Sequence, residues 1–160
     1  SAYRLAVNSS GYVLKPNQPS FSASYTGTNG WADPANNETT PPFNTASIHP
    51  NNYNIGNHYN TSNYRFTAPV AGVYFFMVCL GHLYMTQNEH IVMEFRKNGT
   101  RHAYQYKQQT NAGGHNNYDS GEMMTQLQLA VGDYITFTVS GTAQYYKGPS
   151  EMSFSGHLLG

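Results

Sequence analysis

Charge is what this chain has least of. Eight basic and eight acidic residues cancel, and together they make up 10% of the 160 residues. A surface for nucleic acid or anionic lipid needs a clustered basic field, so neither is an expected partner. Cysteine is nearly absent too. Cys79 has no intrachain partner and sits in an apolar run, where a free thiol behaves as a small hydrophobe, and the redox compartment stays open. The longest apolar run, in "GVYFFMVCL", is far short of the roughly 20 residues that a membrane helix needs, so no membrane insertion is expected. The N-terminus has no basic segment followed by an apolar one, the pattern of a secretory leader. Glycine at every third position, the sign of a collagen stalk, is missing, as is helical periodicity.

What is present is uncharged polarity: Asn, Gln, Ser, Thr and fourteen Tyr, groups that hydrogen-bond and stack without carrying charge. Surfaces of this kind suit sugars. Short alternating runs rich in β-branched and aromatic residues are bounded by Gly, Pro and Asn clusters. They predict a single all-β domain, a two-sheet sandwich of nine or ten strands. Strands are expected over 20–24, 43–48, 64–68, 72–84, 91–97, 102–108, 123–129, 134–139 and 152–158. In the run 91–96, Ile91, Met93 and Phe95 oppose Val92, Glu94 and Arg96, giving one dry face. "KNGT" carries the Asn-Gly pair of a two-residue hairpin turn, and "AVGD" is a second short turn.

The run Val73, Tyr74, Phe75, Phe76, Met77, Val78, Cys79, Leu80 has no polar break. A strand through it offers water neither face, and something must cover the second one. Leaving several such side chains wet would cost roughly 1.5 to 3 kcal/mol each. A peripheral loop or a neighbouring subunit could serve.

Five blocks, "PSFSAS", "NHYNTSNYRFTAPVAGVYFF", "FRKNGT", "LQLAVGDYITF" and "SFSGHLL", stand in the order and spacing of a known family. Over residues 19 to 159 the chain resembles the globular head of complement C1q, within the superfamily that includes tumour necrosis factor. The resemblance implies a ten-stranded jelly roll, a tight homotrimer and non-catalytic recognition or adhesion. It also implies that residues of the inner strands, Tyr74, Phe75, Phe76, Met77, Val78 and Phe154, form the trimer interface. Whether Tyr74 and Phe76 or Phe75 and Met77 face the axis is left open by the run itself. Residues 19–160 are then the head and 1–18 a lead-in from an upstream fibre or stalk. The stretch 7–21, with Gly11, Val13, Pro16, Gln18, Pro19 and Phe21, is similar to the segment preceding such heads in tail-fibre and structural proteins of bacteriophages.

If strands alternate in direction and the termini share one end, the short turns at 69–72, 97–100 and 130–133 belong to that end. The long connections at 25–42, 85–90, 109–122 and 142–151 then share the distal end, where binding usually resides. They hold Trp31, Asn36, Asn37, Asn116, Asn117, Tyr118, Tyr145 and Tyr146. Aromatic rings stack on the C–H faces of sugars and Asn amides pair with hydroxyls, so these are the expected ligand-binding residues. The seven His show no paired zinc spacing, and no metal or other cofactor is expected. Some animal members of the resembling family bind calcium, for which Asp119 and Glu122 are the nearest acidic candidates without a liganding motif.

Three functions follow for comparison. The first is a trimeric bacteriophage tail or tail-fibre head, located on the virion, that binds a host-surface glycan or receptor. The second is a secreted, extracellular recognition protein of immunity or signalling. The third, a glycan-degrading enzyme, requires two carboxylates facing each other across a cleft, and the scattered acidic residues carry no such motif. The expectation is therefore not an enzyme.

Overall fold

The computed structural model describes residues 5–34, 36–47, 52–110 and 117–160, with the backbone alone at 117 and 118. Among the described residues there are fourteen strands and no helix. They are β1 (Ala6–Val7), β2 (Val13–Leu14), β3 (Ser20–Ser24), β4 (Gly30–Ala32), β5 (Tyr53–Ile55), β6 (Tyr59–Asn60), β7 (Arg65–Thr67), β8 (Gly72–Met85), β9 (His90–Lys97), β10 (Thr100–Gln108), β11 (Asn117–Leu129), β12 (Tyr134–Gly141), β13 (Gln144–Lys147) and β14 (Met152–Leu158). The hairpin β1–β2 stands alone. One sheet runs β10-β9-β12-β7-β6. The other runs β5-β3-β14-β8, with β11 on the free edge of β8 and β13 and then β4 added at the far end of β8. All pairings are antiparallel.

The strands that carried strong alternation lie where they are predicted. The expected strand over 43–48 does not form. After Pro41 and Pro42, Phe43 and Asn44 turn back on those prolines through backbone hydrogen bonds, and only Thr45 bridges to Ser24. Residue 48 lies outside the described residues. Phe43 instead plugs the core, fully buried against Phe137 and Phe154. The unforeseen strands β1, β2, β4, β5, β6 and β13 have two to four residues each, too short for a period-2 pattern to register.

Between the sheets lies an aromatic core. Phe21 stacks on Tyr59 with centroids 4.5 Å apart and meets Phe154 edge-on at 4.9 Å. Gly156 sits between Phe21 and Phe76 on the flanking strands, where a Cβ would come within 2.5 Å of the Phe76 ring. Only glycine lets these rings close over the strand.

The short turns meet at one end. The Asn98 N–H donates to the Tyr134 carbonyl, the Ala68 N–H to that of Asp133 and the Gly132 N–H to that of Ala68. Lys97 Nζ lies 2.8 Å from Asp133 Oδ2. The chain's last residues and the lead-in reach the same end, where the Val73 N–H donates to Gly160 and Gln18 Nε2 to the Leu158 carbonyl. At the opposite end the turn at 86–89 pairs with Gln109, and His90 pairs with Thr142.

Strand β8 settles which side chains face inward. Tyr74, Phe76, Val78 and Leu80 are fully buried, and Val73, Phe75, Met77 and Cys79 are half-buried on the other face. At Gly81 the phase changes. Two residues, Gly81 and His82, oppose the single residue Ser120 of β11, because Leu80 pairs with Gly121 and Leu83 with Asp119. This is a bulge: a Cβ at Gly81 would lie 2.7 Å from the Glu151 carbonyl, which accepts the Gly81 N–H. Beyond it Leu83 and Met85 point to the core, and His82 and Tyr84 point out.

Candidate functional site

The outward face of the larger sheet is built in rows. One runs Ile55, Ser20, His157, Phe75, Gln126 and the next Tyr53, Ser22, Ser155, Met77, Met124. Ser20, Ser22, Ser155 and His157 occupy the middle, between large apolar side chains on both sides: Tyr53 and Ile55 on β5, Phe75, Met77 and Met124 on β8 and β11. Met124 is 58% exposed and Tyr53 45%. Cys79 lies on the same face opposite Glu122. Burial first, and then the Glu122 charge, push its thiol above the usual range.

This assignment corrects the expected interface. Tyr74, Phe76, Val78 and Phe154 have no exposed surface within the chain itself and nothing to present to a neighbour. Of the six residues, Phe75 and Met77 point outward.

At the distal end of this face, β13 and β4 extend the sheet past the bulge. Tyr146 is the register partner of Trp31, and Tyr145 of Ala32. The Trp31 and Tyr146 rings meet edge-on, centroids 5.1 Å apart and planes at 74°. Tyr84 adjoins Trp31 at 5.7 Å, and His82 meets Tyr146 at 6.1 Å with planes at 85°. Trp31, His82, Tyr146 and Glu151 line a cavity of about 560 Å³. The Gly81 bulge makes this cavity: it turns His82 outward and, through the Gly81 N–H, holds the Glu151 backbone beside it.

The sequence-expected ligand residues do not all converge here. Trp31 and Tyr146 do. Tyr145 does not: it pairs with Leu83, is 2% exposed and faces the core, and burial pushes its phenol up to about 12. Asn36 and Asn37 are exposed over the end of β12, the Asn36 N–H donating to the Gly141 carbonyl, and they do not line the cavity. Asn116 lies outside the described residues. The backbones of Asn117 and Tyr118 open β11 opposite Met85 and Tyr84. His82, Tyr84 and Glu151 were not anticipated. The signal available for them was a glycine inside a strand, Gly81, which marks a bulge and hence a change of phase.

Glu38, Glu94 and Asp119 are committed elsewhere. Asp119 accepts from Lys107 at 3.1 Å. Burial raises its pKa, but the Ser120 N–H and Lys107 outweigh that and leave it lowered. Glu38 and the buried Glu94 both contact Arg96, and Glu94 also binds Arg101. Two carboxylates thus converge on a guanidinium, not across an open cleft. Among the described residues no three His, Cys, Asp or Glu side chains come together as a metal site.

A two-sheet antiparallel jelly roll with its loops and an aromatic pocket at the end opposite the termini defines the chain's class. Within that class, residues 21–159 match the C1q domain, and the chain belongs to the C1q domain family. It is similar to the Eiger TNF of S. frugiperda, with 10% identity and a TM-score of 0.64 over 90% of this chain and 94% of that one. It is also similar to the globular domain of the zebrafish complement 1qA protein, with 16% identity and a TM-score of 0.53 over 89% and 98%. No curated protein matches the chain. C1q and TNF domains are commonly trimeric recognition modules, extracellular and typically non-catalytic.

Proposed function

We propose that this chain is a homotrimeric recognition head that binds a host-surface glycan through the Trp31–Tyr146 corner. The open aromatic corner at the end away from the termini carries the reading, because two perpendicular rings on a rigid sheet provide stacking surface at little entropic cost. The polar trough between the apolar sides of the larger sheet's outward face supports the trimer. A threefold ring closes by heterologous contacts, and the Phe75–Met77–Met124 ridge of one subunit has the relief to enter the trough of the next. Three corners at one tip then turn a weak site into firm attachment to a repeating surface.

The lead-in 1–18, with the free-standing β1–β2 hairpin, joins the head 19–160 to an upstream fibre or stalk. Its likeness to phage lead-ins supports a virion setting, a tail or tail fibre. Tail genes beside the coding gene would agree with that; a secretory operon would favour the extracellular recognition protein.

The experiment is binding of purified trimer to immobilised cell-surface glycans at low and high salt. Trp31→Ala should abolish retention while the protein stays folded. Undiminished retention by folded protein lacking both Trp31 and Tyr146 rings would overturn the site. Steep salt dependence would contradict stacking as the driving force.

A further inference from the structure

We propose that the cavity between Trp31, His82, Tyr146 and Glu151 binds a trimethylammonium group of the kind choline carries, borne as a substituent on the surface glycan. The inference rests on the reading of this corner as the glycan site and names the chemistry that it takes.

The lining carries the argument. Tyr146 stands at 74° to Trp31 and 85° to His82, so the three rings form an open corner, not a stack. Ring faces bear negative potential and attract cations, an arrangement by which proteins recognise quaternary ammonium ligands. The fourth lining residue is a carboxylate. Glu151 forms no ion pair among the described residues; its Oε2 takes the Ser150 N–H at 3.2 Å. The nearest cation in sequence, Lys147, is spent elsewhere, its Nζ over the Tyr25 ring. The cavity therefore combines the Trp31 and Tyr146 rings with a carboxylate, and neither Lys nor Arg lines it.

The same lining selects among cations. A bare ammonium brings three N–H donors, each needing an acceptor once out of water, and rings offer mostly faces. A methylated ammonium has no N–H to satisfy and lays its methyl groups on those faces.

Trp31 is the chain's single tryptophan, so its fluorescence reports this site directly. The intact protein is titrated with choline, with its neutral isostere 3,3-dimethylbutan-1-ol, and with ethanolamine. Choline should bind saturably and at least about fivefold more tightly than either. Glu151→Gln should weaken choline by a similar factor and leave the isostere unchanged, with Tyr146→Ala as a second variant that removes the cage. Equal binding of the isostere, tighter ethanolamine binding, or indifference to Glu151→Gln in folded protein would overturn the proposal.

The carrier is tested by comparing a choline-substituted polysaccharide with phosphatidylcholine vesicles; capture by vesicles alone overturns the glycan assignment. Glycan retention that needs Trp31 but is not competed by choline would sink this inference and leave the broader reading standing. Saturable choline binding without any glycan retention would sink the broader reading and keep the cage.

Discussion

Asn98 and Asp133 lock two turns together: Asn98 Nδ2 donates to Asp133 Oδ1 at 2.7 Å, and Asn98 Oδ1 takes the Tyr134 N–H at 2.9 Å. The hairpin turn is held in place from outside as well as by its own geometry, in which Asn98 and Gly99 have φ of 53° and 82°. Gly99→Val puts a β-branched side chain into the left-handed region. It should lower stability by about 1 to 2 kcal/mol, read by chemical denaturation, with ligand binding by the folded fraction unchanged because the turn lies at the end opposite the aromatic corner. A binding loss at unchanged stability would show that this end takes part in recognition.

The same knot should make stability depend on acid. Asp133 is lowered from 3.8 to about 2, chiefly by the Lys97 hydrogen bond, then by Asn98 and the Ala130 N–H. A carboxylate whose pKa falls on folding contributes stability that is fully present above its unfolded value and lost as pH drops through its folded one. The melting temperature of the native protein should therefore exceed that of Asp133→Asn by a constant gap from pH 5 upward, and the gap should close as pH falls from 4 to 2. A gap that persists unchanged to pH 2 would mean that the carboxylate's charge contributes nothing.

For the sheet face, the prediction turns on parity. Phe75→Ser with Met77→Ser removes apolar surface that points outward, so it should give folded monomers, seen as a threefold drop in sedimenting mass with retained β-sheet signal. Phe76→Ser leaves a hydroxyl and a void in the core and should cost about 3 to 5 kcal/mol, losing soluble protein altogether. A wild-type protein that sediments as a monomer at micromolar concentration would remove the trimer and leave the ridge and trough without an occupant.

How far the sequence could be read follows from the same strand. The two-sheet sandwich was legible because β9 and β12 alternate cleanly and "KNGT" fixes a hairpin, and the jelly-roll order was legible through the resemblance of the five blocks. In β8 an unbroken apolar run tells only that both faces are dry, and its phase depends on pairing with β11 and β14, which are distant in sequence. The distal corner was half legible: Trp31 and Tyr146 stand out as aromatics in Asn- and Gly-rich stretches. The separation of Tyr145 from Tyr146, and the arrival of His82 and Glu151, require the register through the Gly81 bulge. A three-residue β4 pairing with a four-residue β13 leaves no periodic trace from which to obtain it.

Tyr145 and Tyr146 provide the sharpest separation of fold from site, being neighbours in the chain on opposite faces of one strand. Tyr145→Ala empties a fully packed position and should destabilise by about 3 kcal/mol or more, whereas Tyr145→Phe keeps the packing and should cost little. Tyr146→Ala removes a half-buried ring at the cavity; its stability cost should stay near 1 kcal/mol, the scale of one lost aromatic pair. Ligand retention should behave in the opposite way, unchanged in folded Tyr145→Phe and lost in Tyr146→Ala, with the loss multiplied across three subunits. Denaturation curves and surface binding measured on the same samples separate the two effects. If Tyr146→Ala keeps full retention, ligand contact must lie with residues other than this corner.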